Sequence, residues 1–133
     1  MMYASEFDVP ASVADPNFVL PIGKAKIERE GTDVTITAFS KMVGFSLKAA
    51  EILQSEHGIS AEVINLRTIR PLDRPAVIES VKKTNRIVSV EEGWPQHGVG
   101  AEIAALLMES EAFDFLDAPM ERVAGADIPM PYS

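Results

Sequence analysis

Hydrophobic positions change period several times along this chain, and each change predicts a new element. Val34 to Phe39 (VTITAF) is rich in β-branched residues and predicts a buried strand. From Ser40, a candidate N-cap, the spacing becomes helical through Val43, Leu47, Ala50 and Leu53. His57-Gly58 closes that helix, with glycine available for a left-handed cap. Ala61 to Leu66 (AEVINL) predicts the next strand. Asp73 can cap a second helix that tolerates Pro75 in its first turn, with Val77, Ile78 and Val81 on its apolar face. Lys82 and Lys83 complement the dipole at its C-terminal end. Arg86 to Val90 (RIVSV) is strand-like, Gly93 to Gly100 is a glycine-rich loop, and Ala101 to Met108 is helical with Ile103, Leu106 and Leu107 on one face. Met120 to Ala124 (MERVA) predicts a last short strand. Gly23 to Glu30 alternates weakly, as an edge strand can, and is followed by a Gly31-Thr32-Asp33 turn.

Strands alternating with helices of ten or more residues predict a three-layer α/β/α domain around a mostly parallel, five-stranded sheet. The domain is expected to span residues 22–133. Residues 1–21, with Pro10, Pro16 and Pro21 and no sustained period, read as an extended arm or linker. The arm contains no basic residue and carries Glu6, Asp8 and Asp15, so neither a signal peptide nor a transit peptide is expected in it. Met1-Met2 reads as a methionine added before an internal residue, and the chain stops after its last strand without a closing helix; a piece of a longer protein is therefore expected.

Composition narrows the chemistry. The 133 residues contain no cysteine, which excludes disulfides, thiolate zinc sites and a cysteine nucleophile. A net charge of −8 disfavours nucleic acid and fits either plain solubility or a basic protein partner. No run approaches the roughly 20 apolar residues of a membrane helix.

Ligands of such sheets gather at the carboxyl ends of the strands, here Ser40, Arg67, Glu91-Glu92 and Gly125-Ala126-Asp127. The loop EEGWPQHGVGAE follows a strand and opens a helix, but the third glycine of a dinucleotide fingerprint would fall at Ile103. A glycine turn into a helix is the better reading. Glu91 and Glu92 are adjacent, so in a strand they face opposite ways and cannot form a facing acid–base pair. Solvation or pairing with Arg67 or Arg70 is expected. His57 reads as a surface residue at a helix end. His97 lacks an orienting carboxylate and reads as structural or interfacial. Trp94-Pro95 is either tucked under the domain or covered by a partner. Phe113, Phe115 and Leu116 are expected in the core or over its edge. A phosphorylation receiver is rejected because Ser40 and Arg67 stand where it needs acidic residues.

The strings LPIGKAKIEREGTDVTITAFS, AEVINLRTIRPLD, VSVEEGWPQHGVGAEI and ERVAGADIPMPY together resemble the transketolase C-terminal domain superfamily, and within it the pyruvate dehydrogenase β subunits. The resemblance runs from Leu20 to Tyr132. It implies a mixed sheet whose first strand is antiparallel, and an α2β2 enzyme that uses thiamine diphosphate and Mg to decarboxylate a 2-oxo acid oxidatively and pass the two-carbon unit to a lipoyl group. It implies partners: a second β subunit, the α subunit and the dihydrolipoyl acetyltransferase core, whose docking module is basic. It transfers no catalytic, cofactor or metal residue onto this chain, which is expected to be inactive alone. Glu91, Glu92, Trp94, Pro95, His97 and Tyr132 are the candidate subunit-interface residues. The resemblance also implies a terminal helix beyond Tyr132 and a mitochondrial matrix location, with plastid or bacterial cytoplasm as alternatives. A branched-chain 2-oxo-acid dehydrogenase, another thiamine diphosphate enzyme, or a free-standing interaction module are the competing readings.

Overall fold

A computed structural model describes residues 9–129. Five strands form one sheet: β1 (Lys26–Arg29), β2 (Val34–Ala38), β3 (Ala61–Asn65), β4 (Ile87–Val90) and β5 (Glu121–Val123). Their order is β1-β3-β2-β4-β5. β1 pairs with β3 antiparallel, and every other pairing is parallel. Three helices connect the parallel strands: α1 (Met42–His57), α2 (Arg74–Thr84) and α3 (Val99–Met108), with a 3-10 helix at Glu111–Phe115 before β5. The expected three-layer architecture, with its antiparallel edge strand, is thus the observed one.

Side-chain alternation sorts the helices between faces. Ile64, Leu66 and Ile87 point toward α2 and α3 and pack there with Val77, Val81, Ile103, Leu106, Leu107 and Ala112. Ile36, Ala61 and Val63 point the other way, onto Ala50, Leu47 and Leu53 of α1. Each fully buried aliphatic side chain contributes roughly 1.5–3 kcal/mol relative to exposure. Among the described residues α1 is the one helix on its face, and it covers β2 and β3 but leaves β4 and β5 open. A cavity of about 320 Å³ lies there between Phe45 and Ala49 of α1 and Val88, Val90 and Val123 of the sheet.

Local signals account for most element ends. Gly58 closes α1 at φ 69, its N–H bonding the Gln54 carbonyl. Asp73 caps α2 by accepting from the Ala76 N–H, and its other oxygen accepts from Ala25 at 2.9 Å, tying β1's approach to the helix. Gly31 is forced by proximity: a Cβ there would lie 2.2 Å from the β3 backbone at Ala61 and Glu62.

Two helix starts differ from expectation. Ser40 does not cap α1; it adopts φ 55, and Lys41 takes the cap position without a side-chain bond. α3 starts at Val99, two residues earlier than expected, because the side chain of Glu91, just after β4, supplies the missing acceptors. The strands are each one to four residues shorter than the sequence pattern suggested.

Candidate functional site

The sheet reverses its order between β2 and β4, so the crevice where α/β sheets usually hold ligands opens at the carboxyl ends of these two strands. β4's alternation continues beyond its end. Ile87, Ser89 and Glu91 face α2 and α3, while Val88, Val90 and Glu92 face the α1 side. The two glutamates therefore diverge, as expected from adjacent strand positions, but neither pairs with Arg67 or Arg70. Glu92 is exposed and meets Lys41 of the α1 N-terminus at 3.4 Å, spanning the crevice.

Glu91 is only 4% exposed. Its carboxylate accepts from the Val99 N–H at 2.9 Å and the Gly100 N–H at 3.0 Å, filling the N-terminus of α3. Backbone N–H groups and helix dipole make that position a natural anion site, and the chain's own carboxylate occupies it. The glycines follow from this arrangement. A Cβ on Gly98 would sit 2.6 Å from a Glu91 oxygen, and one on Gly100 would sit 2.5 Å from Ser89 Oγ and 2.9 Å from Glu91. Glycines that suggested phosphate binding instead admit a carboxylate. Glu91 is thereby buried within the chain, its carboxylate turned onto the first turn of α3.

Residues 92–98 form a loop fastened to the end of β5. The Gly125 N–H donates to Gly93 O at 2.8 Å, Arg122 donates to Pro95 O at 2.9 Å, and Trp94 Nε1 donates to Ile128 O at 2.8 Å. Trp94 is anchored at its polar edge, and the residue is 49% exposed. His97 is exposed with φ 57, and His57 lies exposed in the last turn of α1. Tyr132 lies outside the described residues.

A second cavity, about 710 Å³, lies elsewhere, between α3, the 3-10 helix and β5. Leu107, Met108, Phe113, Leu116 and Met120 line it, with Asp114 and Asp117 at its rim. Met108 is 65% exposed, Phe113 51% and Phe115 40%, so the two phenylalanines lie outside the core, and Phe113 forms part of the groove wall. Around it, Glu111 bonds Lys82 at 3.0 Å, and Glu109 lies 3.8 Å from Arg74.

A third polar cluster had no clear sequence signal beyond a glutamate in an apolar strand. Glu62 of β3 is fully buried and accepts from Ser80 Oγ at 2.6 Å and from Lys83 Nζ. Burial pushes its carboxyl up, but the Lys83 and Ser80 bonds outweigh that and hold it below the usual carboxylate range. Lys83 is raised in turn by its bond to Glu62. The Ser80 hydroxyl bonds that of Thr35 at 2.6 Å, and Thr35 in turn bonds that of Thr84 at 2.7 Å, both contacts buried. Among the described residues, no three His, Asp or Glu side chains gather as a metal-ligand set.

The transketolase C-terminal domain family model matches residues 23–133. This chain belongs to that family. As a transketolase C-terminal domain it is 69% identical over all 133 residues to the protein named pyruvate dehydrogenase E1 component subunit beta, mitochondrial, of Pisum sativum, and 58% identical to its namesake in Saccharomyces cerevisiae. In each case it spans 36% of the relative's length. Among solved structures, a split-gene transketolase described as an inactive beta4 tetramer superposes with a TM-score of 0.71 at 32% identity, over 82% of this chain and 34% of that one.

Proposed function

We propose that this transketolase C-terminal domain is the C-terminal part of a mitochondrial pyruvate dehydrogenase β subunit, and that its task is assembly rather than chemistry. One observation carries the reading: the α3 N-terminus is occupied by the domain's own Glu91 and the strand-end crevice is spanned by the Glu92–Lys41 pair, while two apolar cavities stay open on the β5 side. The whole enzyme would use thiamine diphosphate and Mg to decarboxylate pyruvate oxidatively and acetylate lipoyl groups. The residues described here do not fit that cofactor's diphosphate at α3, because the Val99 and Gly100 N–H groups already bind Glu91.

The proposed contacts divide between two surfaces. Glu92, Trp94, Pro95 and His97 form a loop suited to meet a second β subunit or the α subunit. The groove at Met108, Phe113 and Leu116, rimmed by Asp114 and Asp117, suits the basic docking module of the dihydrolipoyl acetyltransferase core. Residues 1–21 would be the linker from the preceding domain; Val9, Val19 and Leu20 are exposed on it, as expected of a segment that lies against another surface.

Co-expression with a matching α subunit and β N-terminal half, followed by a pyruvate-dependent acetylation assay, tests the proposal. Activity that requires this chain supports it. Assembly and turnover unaffected by leaving the chain out would overturn it.

A further inference from the structure

The groove carries a feature that bears on how it would be opened. Asp117, one of its two rim carboxylates, is already bound within the chain: Arg86 Nη2 lies 2.9 Å from Asp117 Oδ2. The pair is built rather than accidental. The Asp117 N–H donates to Asn85 O at 2.9 Å, and Asn85 Nδ2 donates to Phe115 O at 2.7 Å, so the turn before β4 and the segment after the 3-10 helix are fastened together. Asn85 holds φ 61 to make that turn. The other arm of the guanidinium, Nη1, reaches the Asp33 carbonyl at 3.5 Å. Arg86 is thus held from two sides with its charge on the groove rim, whereas Asp114 on the same rim has no ion-pair partner among the described residues.

We infer that Arg86 is an internal competitor for the groove. It occupies Asp117 in the free domain and must yield or share that carboxylate when a basic amphipathic segment docks. This rests on the docking role proposed above for the same groove. The apolar floor sets the kind of segment: side chains such as Leu or Met against Met108, Phe113 and Leu116, with Lys or Arg flanking them to meet Asp114 and Asp117. Because both partners of the Arg86–Asp117 pair are about half exposed, the pair is weak. It acts as a threshold, favouring segments that place a cation on Asp117 over segments that are merely apolar.

The test is titration of a synthetic amphipathic helical peptide, leucine on one face and lysine and arginine beside it, into the full chain. Arg86→Gln should tighten binding by roughly 2–5-fold, the range an exposed ion pair spans. Lys48→Gln, which removes the same charge from the exposed face of α1, should change it far less. Asp117→Asn should weaken binding, and in that background Arg86→Gln should have no further effect. Tightening that is equal in Lys48→Gln, or that persists with Asp117→Asn, overturns the inference, as does Arg86→Gln leaving affinity unchanged or weakening it. If the peptide fails to bind, or binds indifferently to Met108→Glu, the docking role of the groove falls and this inference with it. If Met108→Glu and Asp117→Asn both weaken binding while Arg86→Gln changes nothing, the docking role survives and the competitor role does not.

Discussion

Replacing Glu91 is the most informative perturbation, because one carboxylate joins strand, loop and helix. Glu91→Ala removes two charge-assisted bonds to buried or half-buried N–H groups, each worth roughly 1.5–3 kcal/mol net. Water entering the vacated space can satisfy part of that demand, so a loss of about 3 kcal/mol is expected. For 133 residues the unfolding entropy is roughly 0.28 kcal/mol per degree near the midpoint, which places the expected fall in Tm at about 10 °C. Glu91→Gln keeps one acceptor oxygen but turns an amide toward a backbone N–H, and should lose about 1–2 kcal/mol. Urea unfolding gives the energies, and amide exchange locates them: Val99 and Gly100 should lose protection before the helix interior does. Glu92→Ala is the control, since Glu92 makes a single exposed ion pair. A Glu91→Ala variant within about 0.5 kcal/mol of the parent, or exchange unchanged at Val99 and Gly100, would refute the capping role.

Further outcomes follow from other contacts. Lys83→Met should destabilise the domain by about 2–4 kcal/mol at neutral pH, since it strips a fully buried carboxylate of its counter-charge while Lys83's own partial exposure moderates the loss. In the parent, the depressed Glu62 pKa gives stability that is fully present above about 4.5 and is lost as pH falls through the lower folded value. In Lys83→Met the Glu62 pKa should rise, so lowering pH toward 5 relieves the penalty, and pH-dependent urea midpoints should show slopes of opposite sign. Gly125→Ala should weaken the Trp94 loop, as its Cβ would lie 2.3 Å from Glu92 O; tryptophan fluorescence and quencher access should both change. Gly44→Ala should stabilise by about 0.5–1 kcal/mol, because a Cβ there meets nothing within 4 Å and the residue lies inside α1; a lower urea midpoint would contradict this.

Much of the fold was legible because periodicity and caps agreed. Gly58, Asp73 and the α2 and α3 apolar faces sit where the pattern placed them. Ser40 shows the limit of local signals: a good capping residue in the right place is overruled by a left-handed backbone required at the strand exit. The site was less legible. Alternation showed that Glu91 and Glu92 diverge, but not that one lies beneath α3, since that depends on how closely helix and strand approach. Two glycines in G-x-G spacing were the available trace of that approach, and they are equally what a phosphate loop would show. Glu62 and Lys83 are 21 positions apart and meet only through the β3–α2 packing. The exposure of Phe113 and Met108 depends on a 3-10 helix too short to announce itself by periodicity.

A helix terminus sealed by its own strand has a consequence for redesign. Grafting a nucleotide pocket onto this loop would begin by evicting Glu91, and the incoming phosphate would then have to replace a brace as well as find a berth. Ligand affinity and fold integrity would become one quantity, so that a ligand-free variant would be expected to lose the order of the whole turn.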